Sequence, residues 1–468
     1  MNVSMCRIGG ARVRRGPVAM VVGLVSEVCL ASAVSMFAAI GLVSAASAAH
    51  ADEHWTSAWA TAQQLAPTVI PKWAKTPPRS GQDHPAMVGR QPRKGLQDPP
   101  PGDSPIPPIP ERLESQTVRM FLRTTVAGSR VRIQMSNAYG DRPVRIGDAH
   151  IALRTRGSAI ARSSDRQLTV GGRSSFTLMP QTAVLSDPVN LEVPSPAELA
   201  VSLYVAGDSG PLTVHPLGLH TTYVANGDVT AGEELAGASE NESYFWLSGV
   251  DVLTSAPTEV IIALGDSITD GFRTTPNANR DWPAVLAGRL RAVEPARQWA
   301  VLNMGYSGNR IIRDGADVSA LARFDRDVLS PIGAHWIVFL EGINDIGFAA
   351  LPGAPADERV TADDLIAADR EIVERAHLHG LRVMGATLTP YEGSPAYTQQ
   401  GESIRETLNR WIRMSGAFDR VVDFDAATRD PADPKRLRAG FDSGDHIHPN
   451  DAGNRAMAEA IDLSAFAR

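Results

Sequence analysis

The sequence has little cysteine and no block of like charge. Its 468 residues include two cysteines, Cys6 and Cys29, both near the N-terminus. The rest of the chain therefore has no thiol for a disulfide bond, a thiolate metal site or a cysteine nucleophile. The formal net charge is −7, and this argues against nucleic acid as the main partner because binding phosphate requires a basic surface.

The N-terminal segment, residues 1–51, has the composition of a signal peptide. It opens with several arginines and continues with a long apolar run and then small residues. Ala49-His50-Ala51 fits the small-x-small pattern that signal peptidase cleaves, which predicts Asp52 as the mature N-terminus. A retained membrane anchor is the alternative, but Glu27 interrupts the apolar run, and a charge at mid-bilayer costs about 3 kcal/mol. We therefore expect a secreted protein, extracellular or periplasmic, without stable membrane insertion.

Three segments that differ in composition and hydrophobic pattern follow. Residues 52–66 alternate around Trp55 and Trp59, which predicts a buried edge strand. Residues 67–116 hold thirteen prolines and are predicted to be a loop or linker, because proline removes backbone donors and fixes φ. A ligand for a partner domain is the less favoured interpretation. Residues 117–256 contain short apolar or alternating runs between Gly, Asn, Asp and Pro, which is typical of an antiparallel, jelly-roll-like β-sandwich.

Residues 257–468 alternate between strand and helix patterns. The run 260–264 is continuously apolar, as expected for a central parallel strand covered on both faces. Caps are predicted at Asp281 and Thr361, and Gly380 is a good residue to follow a helix. Five β-α units predict a three-layer α/β/α doubly wound parallel sheet, with its active site outside the carboxyl ends of the strands. The other four predicted strands lie at 301–302, 336–340, 381–388 and 421–422.

Four polar clusters lie where this pattern places strand ends, or directly before the last helix. They are Gly265-Asp266-Ser267-Ile268, the run 303–309, Gly342-Ile343-Asn344-Asp345 and Asp445-His446-Ile447-His448-Pro449. An ester hydrolase needs an activated hydroxyl, a base within hydrogen-bond reach, a group that orients the base, and donors for the oxyanion. The four clusters supply one of each.

These clusters resemble the four sequence blocks of the SGNH (GDSL-type) hydrolase superfamily, in the same order and spacing. The resemblance implies that Ser267 is the catalytic nucleophile and that Asp445 and His448 form the D-x-x-H pair of the last block. It also implies an oxyanion hole made by the backbone N–H groups of Ser267 and Gly308 and the side-chain amide of Asn344. The fold implied is the hydrolase sheet described above.

Each block also has a purely structural interpretation. Ser267 fits a helix cap after a strand, and Gly308 fits a tight turn. Asn344 fits an Asx-type turn, and the last block fits hydrogen bonding before the final helix. The coincidence of all four, in order and at strand ends, favours the enzyme. Asp266 is assigned to structure, holding the first block in place.

Two other hydrolase chemistries fit the residues less well. The nucleophile elbow of α/β-hydrolases needs glycine two residues after the serine, and that position is Thr269. A metal hydrolase needs clustered ligands, but His377 and His379 are two apart on a predicted helix and so lie on different faces. His446 is close only to His448, which is needed as a base, and is given no role. No metal and no cofactor are predicted.

The predicted function is that of a secreted serine carboxylic-ester hydrolase with an acyl-enzyme intermediate. Its substrate is expected to be a small-molecule or glycan ester, such as an acetylated glycan or a short-chain ester. From about Val118 onwards the chain is similar to exported bacterial and fungal GDSL-type esterases with a β-rich domain before the hydrolase. Two alternatives stay open, a carbohydrate-binding surface protein with a vestigial hydrolase unit and an acyltransferase that uses the same residues. Acyl length, the alcohol part and oligomeric state are also open.

Overall fold

The fold is seen in a computed structural model that describes residues 52–66, 109–314, 318–351 and 354–466. The signal peptide predicted at 1–51 and nearly all of the proline-rich segment predicted at 67–116 lie outside these residues. Ala51–Arg468 forms one compact unit. Within the described part of the chain, no helix is both long enough and apolar enough to cross a membrane.

The first half of this unit is made of antiparallel strands. In chain order they are β1 (His54–Ala60), β2 (Gln64–Ala66), β3 (Glu114–Thr124), β4 (Gly128–Ser136), β5 (Val144–Arg156), β6 (Ala159–Ile160), β7 (Arg166–Gln167), β8 (Phe176–Leu178), β9 (Ala183–Leu185), β10 (Val189–Val193), β11 (Ala197–Asp208), β12 (Leu212–His215), β13 (Thr222–Asn226), β14 (Ser239–Asn241), β15 (Tyr244–Phe245) and β16 (Leu247–Thr254).

These strands form three sheets. The first has the order β1-β16-β4-β10, with β9 also on β4; the second has β14-β13-β3-β11-β5-β6, with β7 and β8 also on β5; and the third has β15-β12-β2. The short segment 52–66 thus supplies strands to two sheets. The edge strand predicted there is β1, and its Trp55 and Trp59 are half-buried. The jelly-roll-like sandwich stays a prediction.

The second half contains a five-stranded parallel sheet of order β18-β17-β19-β20-β21. Its strands are β17 (Thr258–Gly265), β18 (Gln298–Gly305), β19 (Ala334–Leu340), β20 (Arg382–Ala386) and β21 (Arg420–Val422). The helices are α1 (Ser267–Asp270), α2 (Trp282–Val293), α3 (Ala320–Phe324), α4 (Ile343–Ala350), α5 (Ala362–Leu378), α6 (Gln399–Met414), α7 (Phe424–Thr428) and α8 (Asp451–Ala460). The predicted mixed α/β organisation with a parallel sheet is confirmed.

The predicted helix caps are present. The Asp281 side chain accepts a hydrogen bond from the backbone N–H of Ala284 at the start of α2. Thr361 and Asp364 form a reciprocal capping box at the start of α5. Gly380 follows the end of α5 with φ of 73°, a left-handed conformation that glycine adopts without steric cost. Local chemistry therefore sets these helix ends.

One continuous hydrophobic core joins the antiparallel and parallel halves. Buried apolar side chains of β3, β16, β17 and β19 belong to the same cluster. Hydrogen bonds also cross between the halves. The backbone N–H of Ile332 donates to Ser57 Oγ at 2.9 Å, and Thr125 Oγ1 donates to the carbonyl of Trp299 at 2.6 Å. The two halves therefore share buried surface.

Candidate active site

Three strand ends meet at one edge of the parallel sheet. Gly265, the last residue of β17, is in register with Gly305 of β18 on one side and Leu340 of β19 on the other. The chain passes from β17 to one neighbour and then returns to the opposite side, so the strand order reverses at β17. In open α/β sheets a crevice forms at such a switch point, outside the carboxyl ends of the strands. The loops that carry the first three polar clusters therefore converge here.

Ser267 is the first residue of α1 and is separated from the end of β17 by one residue. The preceding residue, Asp266, caps this helix by accepting a hydrogen bond from the N–H of Ile268 at 2.9 Å. Asp266 is fully buried, and burial raises its pKa to about 7. Gly271 ends α1 with φ of 96°. The single helical turn between these residues holds the hydroxyl of Ser267 at the corner between strand and helix.

Ser267, His448 and Asp445 form a chain of hydrogen bonds. Ser267 Oγ lies 2.8 Å from His448 Nε2, and His448 Nδ1 lies 2.9 Å from Asp445 Oδ2. Because a carboxylate only accepts, Nδ1 carries a proton, and in the neutral ring Nε2 is left as an acceptor for the serine proton. All three residues are buried. The arrangement can activate a hydroxyl as a nucleophile.

The Asp445 carboxylate is held in its charged form. Burial raises its pKa, but the His448 charge and the hydrogen bonds from His448 and Ile447 outweigh burial, so the pKa lies well below its usual range. The backbone N–H groups of His448 and Ile447 donate to Oδ1 at 2.9 and 3.2 Å. An ionised carboxylate at this position can stabilise a positive charge on the His448 ring.

Phe272 and Arg273 lie beside this chain of hydrogen bonds. The Phe272 ring packs edge-on against the His448 ring, with 4.7 Å between centroids. Arg273 Nε donates to Asp445 Oδ2 at 3.3 Å. The φ of Arg273 is 76°, a left-handed conformation that costs a non-glycine residue about 1–2 kcal/mol. Sequence reasoning missed both residues, because neither belongs to a motif.

Gly308 lies on the loop after β18, and Asn344 lies in α4, the helix that follows β19. The φ of Gly308 is 87°, which explains glycine at this position. Asn344 is buried in the first turn of α4, and its Nδ2 donates to the carbonyl of Asn309 at 2.9 Å. An amide group carries two N–H donors, so this bond uses one of them. The second and third polar clusters are therefore hydrogen-bonded to each other.

Two buried charged side chains hold these loops, and sequence reasoning assigned a role to neither. Asp345 accepts hydrogen bonds from the backbone N–H groups of residues 311–312 at 2.9 and 3.3 Å. Arg323 of α3 donates to Asn309 Oδ1 at 2.8 Å and to the carbonyl of Gly265 at 3.0 Å. The one available signal was an arginine within an otherwise apolar helical stretch. Through its two bonds, Arg323 links the end of β17 to the loop after β18.

His446 and His377, which were also considered from the sequence, have hydrogen-bond partners outside this network. His446 is half-exposed, and its Nδ1 lies 2.6 Å from Asp442. His377 Nε2 lies 2.9 Å from Asp419. Each of these two histidines is therefore paired with an aspartate that does not belong to the Ser267–His448–Asp445 chain.

Comparison with known proteins gives a family match over the site. Residues 263–456 match the family model described as GDSL-like Lipase/Acylhydrolase family. This range begins within β17 and ends within α8, so it contains all four polar clusters. No curated protein matches the chain.

Several solved structures resemble part of the chain. One is a protein from Desulfitobacterium hafniense DCB-2 that is described as lipolytic and of the G-D-S-L family. It is 22% identical, with a TM-score of 0.32, and the match covers 43% of this chain and 96% of that chain. An acetylxylan esterase from Geobacillus stearothermophilus is 24% identical, with a TM-score of 0.35 and coverage of 45% and 94%. An α/β hydrolase enzyme from the metagenome of Lake Arreo, Spain, is also 24% identical, with a TM-score of 0.35 and coverage of 45% and 95%. Identities and TM-scores are low in all three.

Proposed function

We propose that this SGNH-type esterase, whose residues 263–456 match the GDSL-like lipase/acylhydrolase family, hydrolyses a carboxylic ester outside the cell through an acyl-enzyme on Ser267. The observation that carries this proposal is the hydrogen-bonded chain from Ser267 Oγ to His448 at 2.8 Å and from His448 to Asp445 at 2.9 Å. It joins a hydroxyl, a base and a group that orients the base. Serine catalysis requires these three parts.

In the first half-reaction Ser267 Oγ attacks the carbonyl carbon of the ester while His448 Nε2 takes the hydroxyl proton. Negative charge develops on the carbonyl oxygen, and the backbone N–H groups of Ser267 and Gly308 and the amide of Asn344 stabilise it. The ester C–O bond then breaks. His448 gives the proton to the leaving alcohol, and the acyl group stays on Ser267.

In the second half-reaction water attacks the acyl carbonyl while His448 takes one of its protons. The same donors stabilise the oxyanion. The bond between the acyl group and Ser267 Oγ breaks, the proton returns to the serine, and the carboxylic acid leaves. Asp445 stays ionised throughout, because its role is to hold the ring of His448 and to balance its positive charge.

We further propose that the substrate is an acylated extracellular compound, such as an acetylated glycan or a short-chain ester. The signal-like residues 1–51 support export. The position of Cys6 and Cys29 within that segment also supports it, because the mature chain then carries no thiol that an oxidising compartment would modify. The retention of all five expected site residues argues against a vestigial enzyme.

Hydrolysis of p-nitrophenyl acetate tests the activity. The wild-type protein should release p-nitrophenol, and Ser267→Ala should lose nearly all turnover. Ser403→Ala is the matched control, because this serine is exposed on α6 and should turn over like wild type. Equal hydrolysis by wild type and Ser267→Ala would contradict the proposal. Esters of increasing acyl length, with and without an acceptor alcohol, then measure chain preference and transfer.

The N-terminus of the exported protein tests its location. Mass spectrometry of protein recovered outside the cytoplasm should give Asp52 as the first residue. Recovery only from the cytoplasm, with residues 1–51 still attached, would contradict export.

A further inference from the structure

His215, at the end of β12 in the antiparallel half, lies buried against the first helix of the hydrolase half. Its Nδ1 lies 2.7 Å from the carbonyl of Ala62, and its Nε2 lies 3.0 Å from both the carbonyl of Leu217 and Asp270 Oδ1. Carbonyls and carboxylates only accept hydrogen bonds, so both ring nitrogens donate. The ring is therefore an imidazolium, paired with the Asp270 carboxylate.

The charges agree with this assignment. Burial lowers the pKa of His215, but the Asp270 charge and the hydrogen bonds to Asp270, Ala62 and Leu217 outweigh it and raise the pKa above its ordinary value. Asp270 is itself 3% exposed. A buried carboxylate without a cationic partner is strongly unfavourable, so the two groups depend on each other.

Asp270 in turn holds the loop after β18. It is the last residue of α1, the helix that begins with Ser267. Its Oδ2 accepts a hydrogen bond from the Ser307 backbone N–H at 2.9 Å and another from Ser307 Oγ at 2.7 Å. Ser307 directly precedes Gly308, whose N–H is assigned to the oxyanion. One carboxylate thus connects the nucleophile helix, the oxyanion loop and a histidine from the other half of the protein.

The packing around this connection leaves little freedom. The ring of Tyr306 packs edge-on against the His215 ring, with 5.6 Å between centroids. A Cβ at Gly305 would collide with the backbone nitrogen of Asp270, so the end of β18 and the end of α1 are in direct backbone contact. The loop that carries Ser307 therefore begins at a point where the backbones of α1 and β18 are packed together.

We propose that His215 is a positioning residue for the oxyanion hole, acting through Asp270 and Ser307 on the Gly308 N–H. This role rests on the proposed esterase function. Without the imidazolium, the buried Asp270 carboxylate loses its charged partner and is expected to move, which weakens its bonds to Ser307. Oxyanion stabilisation depends on donors held at hydrogen-bond distance from the developing charge. We therefore expect the variant to lose stabilisation of the transition state and to keep its affinity for the substrate.

Steady-state kinetics of two variants test this role. His215→Asn should lower kcat about tenfold or more, because a small misplacement of a catalytic group has large effects on rate, while KM stays within about twofold, as expected for an interaction made only in the transition state. Ser307→Ala removes one donor to Asp270 and should lower kcat less, by about threefold to tenfold. Affinity for a boronic acid that forms a tetrahedral adduct should fall in parallel with kcat/KM.

His150→Asn is the matched control. His150 is also a buried histidine of the antiparallel half, and its Nδ1 lies 3.0 Å from Asp165. Replacing it removes the same kind of pair, but this pair makes no contact with α1 or the loop after β18. His150→Asn should therefore lower the melting temperature while kcat per active site, counted by titration with a phosphonate, stays at the wild-type value.

The outcomes separate the two proposals. If wild type hydrolyses no ester, the proposed function fails and the role of His215 fails with it. If wild type is active and Ser267→Ala is not, an unchanged kcat in both His215→Asn and Ser307→Ala overturns only the positioning role. Should His215→Asn fail to fold, Ser307→Ala decides, because it removes a single partly buried hydroxyl and an unchanged kcat there overturns the role.

Discussion

The side-chain amide of Asn344 donates a hydrogen bond of 2.9 Å to the backbone carbonyl of Asn309. This bond joins the turn after β19 to the turn after β18. Each turn carries an expected oxyanion donor, the amide of Asn344 itself and the N–H of Gly308. The bond therefore sets the spacing between these donors as well as the orientation of the amide.

Replacing Asn344 by alanine should lower kcat by about 10²–10³, because one oxyanion donor is lost. Steady-state hydrolysis of p-nitrophenyl acetate measures the change. Asn409→Ala is a suitable control, since Asn409 is also buried and its side-chain amide hydrogen-bonds to the backbone N–H and carbonyl of Leu388. Full kcat in Asn344→Ala would rule out its oxyanion role.

Gly308→Ala should lower kcat by about tenfold or more, since it moves an oxyanion donor. A β-carbon at φ of 87° is unfavourable by about 1–2 kcal/mol, and the loop is expected to shift to relieve the strain. Gly380→Ala places the same strain at φ of 73° after α5, where no atom crowds the new carbon. Its stability should fall similarly while kcat stays unchanged. Equal kinetics in both variants would contradict the role of Gly308.

Asp266→Asn should gain stability relative to wild type as pH rises. Burial raises the pKa of Asp266 to about 7, whereas the same group in the unfolded chain ionises near pH 4. Between these values the unfolded state has already lost a proton that the folded state keeps. The stability associated with this carboxyl is therefore present below about pH 4 and is lost as pH rises through about 7.

Thermal melting of Asp266→Asn and wild type at about pH 4.5 and about pH 8 measures this difference, because asparagine does not ionise. The other acids are present in both proteins, so the difference between the two melting temperatures removes most of their effect. The melting temperature of the variant minus that of wild type should be more positive at the higher pH. A difference that does not change with pH would show that Asp266 ionises normally in the folded protein.

Chelation should leave the rate unchanged, since the proposed steps use only side chains and backbone donors. Turnover of p-nitrophenyl acetate before and after dialysis against EDTA checks this. Activity lost in EDTA and restored by zinc would replace the serine mechanism with a metal-dependent one.

The hydrolase half should not be stable alone. A fragment of residues 256–468 exposes the apolar surface that β3 and β16 cover in the shared core, and it loses the bond from Thr125 to Trp299. We expect the fragment to be insoluble, or to melt lower than residues 52–468 by on the order of 10 °C. A soluble fragment with unchanged melting temperature and full activity would show that the antiparallel half is an accessory.

The antiparallel half shows where prediction from the sequence stops. Short alternating runs indicated β-strands, but the partner of each strand is set by contacts over long sequence separations. β1 pairs with β16, roughly 200 residues later in the chain, and β2 pairs with β12, roughly 150 residues later. Periodicity specifies which face of a strand is apolar and not which strand lies beside it.

The sequence by itself determined the parallel sheet, the helix caps and the grouping of the polar clusters. The physical reason is that a buried parallel strand needs a continuous apolar run, and the carboxyl ends of such strands share one edge. The resemblance to the SGNH hydrolases implied in addition that Ser267 and His448 act together, and the structure places Ser267 Oγ 2.8 Å from His448 Nε2. Only the tertiary structure decided that Arg273, Arg323 and His215 border this site, because each reaches it through backbone carbonyls or carboxylates distant in the chain, and no local pattern marks such a contact.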